Sequence, residues 1–193
     1  MENSGKQERL NALFLKMIAF DEGDPKRIQH FVKVHSFAKL IGELEKLDDH
    51  TLYTLEAAAY LHDIGIRIAE EKFGRNDGKL QEREGPEPAG KLMRECGFEK
   101  DVISRVQYLI AHHHTYQGID GQDYQILVEA DFLVNLYEDG TSEKAVRTAG
   151  EKIFRTAAGT DILKKMFRIS DLITGVGGRN LRCLFFFLFS DKL

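Results

Sequence analysis

Apolar residues recur along most of this chain at intervals of three and four. Leu10, Leu13, Phe14, Met17 and Ile18 form one buried stripe, which predicts an N-terminal helix. A second helix begins with Asp24 as its cap and Pro25 in its first turn, and turns Val34, Phe37, Ala38, Ile41 and Leu44 inward. A third carries Leu55, Ala58 and Ala59 and is expected to stop near Gly65. Residues 73–90, rich in charge, Gly and Pro and without a period, read as a long surface loop. Helices over 88–96, ended by Gly97, and over 99–114 follow. After a Gly-containing loop at 115–123 come an apolar helix over 124–138, another over 142–156, and a last one after Asp161. Period-two alternation is nowhere sustained, so the fold class is all-α, a helical bundle.

Some strong metal-ligand types stand where core residues should be. His30 lies four positions before Val34 and seven before Phe37, on the inward stripe of the second helix. His62 extends the stripe of Leu55, Ala58 and Ala59, with Asp63 beside it, and Asp131 falls between Leu127 and Val134. Taken singly, each has an ordinary reading: a hydrogen-bonded core histidine, or an aspartate paired with Arg or Lys. An unpaired buried carboxylate, however, costs several kcal/mol. Two histidines and two aspartates converging from three helices call for a cation. The imidazole and carboxylate mix suits a divalent ion such as Mn, Fe, Co, Ni, Zn or Mg. His35 lies about 140° around its helix from His30, so the two do not serve one metal, and it reads as a boundary residue on the Ile28 and Val32 face.

Composition narrows the setting more than the chemistry. The 193 residues, 42% hydrophobic and 30% charged, suffice for one substantial core. A net charge of -4 gives no strong nucleic-acid or membrane signal. Two distant cysteines, Cys96 and Cys183, make no metal-binding pair and suit a cytoplasmic protein. The expected organisation is an N-terminal helix at 1–22, a metal-binding helical domain at 23–170 and an unplaced tail at 171–193. The Phe-rich run at 184–189 is too short to span a membrane and reads as docked on the domain or on a neighbouring subunit, which leaves a homo-oligomer open.

The ordered set is His30 with Val34 four later, the run Ala58-Ala59-Tyr60-Leu61-His62-Asp63-Ile64-Gly65, and Asp131 on an apolar helix. It resembles the HD-domain superfamily of metal-dependent phosphohydrolases, over residues 27–131 and towards 167. The resemblance implies a single HD-type helical domain with His30, His62, Asp63 and Asp131 as metal ligands. It also implies hydrolysis of a small-molecule phosphate ester, a nucleotide among the candidates. Some members use extra histidines for a second metal or the substrate. Helical spacing points to His113, on the stripe of Val102, Val106 and Leu109, and His114, which follows Ile103, Gln107 and Ile110; His112 points outward with Arg105 and Tyr108.

Two-metal members commonly place another histidine in the segment that here reads Gly85-Pro86-Glu87-Pro88-Ala89 and has none. Many also have Lys after the His-Asp run, where this chain has Ile66 and Arg67. In this reading Asp63 is both ligand and proton acceptor. Arg27, one turn before His30, and Arg67, just after the His-Asp pair, contact the phosphate. Lys33 and Lys79 read as solvated charges, and Glu56 and Glu129 as solvated or as acceptors for ligand imidazoles. The same ligand architecture with a pair of irons resembles the HD-type di-iron oxygenases, and the fold alone also serves non-catalytic signalling or binding modules.

Overall fold

The structure, a computed structural model, describes residues 2–169; the tail and its run at 184–189 lie outside them. The described residues form ten helices and no strand: α1 (Glu2–Phe20), α2 (Pro25–Leu44), α3 (Asp49–Leu61), α4 (Gly65–Phe73), α5 (Gly78–Glu84), α6 (Pro86–Glu95), α7 (Lys100–Ile110), α8 (Gln122–Glu138), α9 (Glu143–Lys152) and α10 (Ala157–Phe167). The expected all-α architecture is what forms.

Local chemistry sets the helix starts. Asp24 accepts from the Arg27 amide at 2.9 Å and Pro25 opens α2. Asp48 accepts from the His50 and Thr51 amides at the start of α3. From Ile126 to Val134 every residue of α8 is buried, the signature of a helix enclosed on all sides. It packs against α2 and α3, which also pack on each other; α7 covers α3, and α1 lies across α3 and α6. Leu10, Leu13 and Met17 of α1 join the same core as Val34, Leu55, Ala58 and Leu127.

Four expectations are corrected. Residues 73–90 are not one loop: they hold the end of α4, the short α5 and the start of α6. Helix α5 has seven residues and one buried apolar side chain, Leu80, so no period marks it. Gly65 starts a helix rather than ending one. A Cβ there would stand 2.5 Å from the Gln81 carbonyl oxygen and 3.0 Å from the Gly85 amide nitrogen, so this glycine permits close packing of α4 on α5. Leu44 is exposed, because α2 runs past the core at its C-terminal end. Glu56 and Glu129 are buried, not solvated. Glu56 pairs with Lys39 and His35, each at 3.0 Å. Glu129 accepts from the Arg155 and Thr156 amides at 2.6 and 2.9 Å, pinning the turn between α9 and α10.

Candidate metal centre

The His-Asp pair sits at a corner. Helix α3 ends at Leu61, a tight turn carries His62, Asp63 and Ile64, and α4 starts at Gly65. Within a continuous helix, neighbours point about 100° apart and could not share a target. Breaking the helix there brings His62 Nε2 and Asp63 Oδ2 to 3.4 Å. His30 on α2 and Asp131 on α8 face the same point, both buried. His30 Nε2 lies 3.3 Å from His62 Nε2, 3.2 Å from Asp131 Oδ1 and 3.5 Å from Asp63 Oδ2. His62 Nε2 is also 3.5 Å from Asp131 Oδ1. Ligands about 2.0–2.2 Å from one ion in a tetrahedron stand about 3.3–3.6 Å apart, so this spacing is that of a shared ion's ligands.

The outer nitrogens decide which lone pairs face inward. His62 Nδ1 donates to the Ala59 carbonyl at 2.9 Å, and His30 Nδ1 to Glu138 at 3.0 Å. Both acceptors lack a proton to give, so each neutral ring presents a bare Nε2. His113, in the turn after α7, follows the same rule: its Nδ1 donates to the Ile110 carbonyl at 2.8 Å. Its buried Nε2 has no hydrogen-bond partner and lies 3.5 Å from Asp63 Oδ1. An orphaned buried imidazole nitrogen beside a carboxylate is a pair of donors that a cation fits. His30, His62 and Asp63 form one ligand group, and Asp63, His113 and His114 a second that shares Asp63.

Charges respond as a cation site requires. Burial works to lower the pKa of His30, but the hydrogen bonds of Asp131 and Glu138 outweigh it and raise it to about 9. Burial likewise disfavours charge on His62, and the carboxylates of Asp63 and Asp131 overcome it. Asp63 and Asp131 resist the upward push of burial and are held below the usual carboxylate range by the facing imidazoles. Without an ion, protons on the histidines neutralise the carboxylates.

Around this core the structure sorts the remaining candidates. His114 joins the Asp63 and His113 group; burial and its neighbour His113 lower its pKa to about 3, so it is neutral. Its Nε2 meets Gln81 Oε1 at 2.7 Å. His112 turns away, its Nδ1 donating to the Tyr108 carbonyl at 2.7 Å. Arg27 carries intramolecular partners, Glu70 at 3.0 Å and Asp24 at 3.4 Å. Arg67 reaches Glu71 at 3.0 Å and the Phe20 carbonyl at 2.5 Å. Lys33 is not simply solvated, because it binds Glu138 at 2.7 Å; Lys79, largely exposed, binds Glu82 at 2.6 Å.

Four supporting residues escaped the sequence reading. Glu138 orients His30, and Asn135 donates to Asp131 Oδ1 at 2.8 Å. Both recur on the Asp131 face of α8, at +4 and +7, and that spacing was the available signal. Gln81 and Glu82 hold the histidine turn from α5, Glu82 accepting from the His114 amide at 3.1 Å. Nothing in the sequence marked them, since α5 itself was not legible.

A helical bundle that turns two histidines and two aspartates inward, with the outer nitrogens of the histidines anchored, belongs to the class of helical proteins whose buried His/Asp cluster could hold a metal ion. Comparison with known proteins gives the family: the HD domain matches residues 27–142, and the chain belongs to that family. A crystal structure of a predicted HD superfamily hydrolase from an uncultured Thermotogales bacterium is similar, with 27% identity, 84% of each chain covered and a TM-score of 0.58. No curated protein matches the chain.

Proposed function

We propose that this protein is a divalent-metal-dependent hydrolase of small-molecule phosphate esters, with a nucleotide among its candidate substrates. The observation that carries the reading is the cluster in which the Nε2 atoms of His30 and His62 stand 3.2–3.5 Å from each other and from carboxylate oxygens of Asp63 and Asp131. The likeness to a predicted HD superfamily hydrolase supports it. A divalent cation bound there would acidify water and offset charge building on the phosphoryl oxygens.

The chain's own residues supply the rest. Asp63 is the most open of the four ligands, with its side chain 19% exposed against 9%, 0% and 8% for His30, His62 and Asp131. It therefore faces the side from which water arrives and is the proton acceptor. Arg27 and Arg67, each about one turn from a ligand, exchange their carboxylate or carbonyl partners for phosphate oxygens. His113 and His114 extend the site beyond Asp63, as ligands to a second ion or to the substrate.

The test is elemental analysis of the purified protein, then a phosphate-release screen over a metabolite panel with each metal. Stoichiometric metal and turnover of at least one ester are expected; metal-free protein with no turnover would overturn the reading. The shared Asp63 between two ligand groups also favours one competitor, a di-iron oxygenase. Two irons per chain with oxygen consumption and no phosphate release would establish that chemistry instead.

A further inference from the structure

One ring in the two ligand groups is anchored differently from the other three. His30, His62 and His113 each donate through Nδ1 and present Nε2. In His114 the order is reversed, and a run of hydrogen bonds from α5 sets it. Gln81 Nε2 donates to the Asn76 carbonyl at 2.5 Å; a carbonyl can only accept, so the amide nitrogen is held on that side. Gln81 Oε1, on the other side, stands 2.7 Å from His114 Nε2 and must accept from it. A neutral imidazole carries one proton, so the lone pair of His114 lies on Nδ1. That atom meets the Tyr116 hydroxyl at 3.4 Å, a long contact that an ion can displace. The backbone of α5 abuts the ring, since a Cβ on Gly78 would stand 2.8 Å from its Cγ and 2.9 Å from its Cδ2. Asp63, His113 and His114 each bring a possible ligand atom within 4.8 Å of the others. His113 Nε2 is buried without a partner and lies 3.5 Å from Asp63 Oδ1. Two bare nitrogens and a carboxylate offer lone pairs and no proton. Phosphate oxygens are acceptors too, so this group repels them unless a cation stands between.

We propose that Gln81 is a positioning residue for a second cation: by accepting the Nε2 proton of His114, it makes that histidine a ligand through Nδ1, beside His113 Nε2 and Asp63. The proposal rests on the reading of this site as a metal centre, and it narrows the role of His113 and His114 to holding an ion rather than the substrate. Gln81 touches neither ion nor substrate and acts through His114 alone. Asn76 acts one step further back, by fixing which end of the amide faces the ring.

Long-range proton–nitrogen NMR spectra of the metal-free full chain read the tautomer directly, and His114 should carry its proton on Nε2. Equilibrium dialysis against Mn, followed by elemental analysis, should then give two ions per chain. Gln81→Leu, which cannot accept a proton, should weaken one of the two about 10–100-fold and leave the other unchanged. Gln81→Glu still accepts from His114 but cannot donate to Asn76, and it should hold both ions as the wild type does. His114 protonated on Nδ1 would overturn the proposal, and that measurement uses the wild type alone, whether or not the variants fold. Unchanged binding in Gln81→Leu would overturn it, and so would equal losses in the Leu and Glu variants, which mark a merely structural residue. A wild type that saturates at one ion would overturn it while leaving the one-metal reading intact. A wild type that binds no ion would overturn both.

Discussion

Filling this centre with a cation should expel protons, and the amount follows from His30. In the metal-free protein its pKa stands at about 9, against 6.5 for an ordinary histidine. A cation must take the Nε2 lone pair, so binding at pH 7 displaces a proton held two units above ambient. At 1.36 kcal/mol per unit this costs about 2.7 kcal/mol, or about a hundredfold in apparent affinity relative to pH above 9. His62, raised in the same direction, steepens the dependence.

The stability of the metal-free protein runs the other way. Because the folded pKa of His30 exceeds the unfolded value, its contribution is fully present below pH 6.5 and is lost as pH rises through 9. That contribution is about 3 kcal/mol. Calorimetric titration with Mn or Zn in two buffers of different ionisation enthalpy counts the protons. At least one should be released at pH 7, with apparent affinity climbing about tenfold per pH unit between 7 and 9. No proton release together with an affinity flat over that range would refute the reasoning, because the donors would then not be meeting at one ion.

Glu138→Ala should weaken metal binding about 10–100-fold by releasing His30 Nδ1, with Glu138→Gln, which can still accept, falling between the two; metal titrations giving three equal affinities would count against the orienting role. Asp63→Asn should weaken metal binding and nearly abolish phosphate release, whereas Arg67→Ala should keep the metal and raise KM; steady-state rates and metal titration on one substrate separate them, and full turnover by metal-free Asp63→Asn would defeat the mechanism. Gly65→Ala should destabilise the fold by about 1–3 kcal/mol in urea unfolding, because its Cβ meets the Gln81 backbone 2.5 Å away. A Gly65→Ala variant as stable as the wild type would mean that α4 and α5 do not pack as closely as described.

How far the sequence led depended on how strongly each element was enclosed. The inward stripes of α2, α3 and α8 were legible because wide buried faces enforce a helical period, and His30, His62 and Asp131 stood out as polar breaks in those stripes. Asp63 could be named only as a neighbour; that it converges with His62 depends on the corner after Leu61, which the Gly65 signal suggested without describing. Helix α5 stayed hidden because it is held by hydrogen bonds that Gln81 and Glu82 accept and by backbone packing on Gly65, and neither leaves an apolar pattern.

The donors come from α2, the corner between α3 and α4, the turn after α7, and α8, and span residues 30 to 131 of the chain. An ion held among them would be a cross-link. An ion held by His30, His62, Asp63 and Asp131 would tie α2, the corner and α8, which an unfolded chain would have to bring together at an entropic cost, and it would bind the folded state alone. At a hundredfold excess over its dissociation constant, such a ligand adds about 2.7 kcal/mol to the free energy of unfolding. On the proposed reading, the melting temperature of this protein would be a gauge of the free concentration of that ion, and a cell short of it would lose folded protein as well as rate.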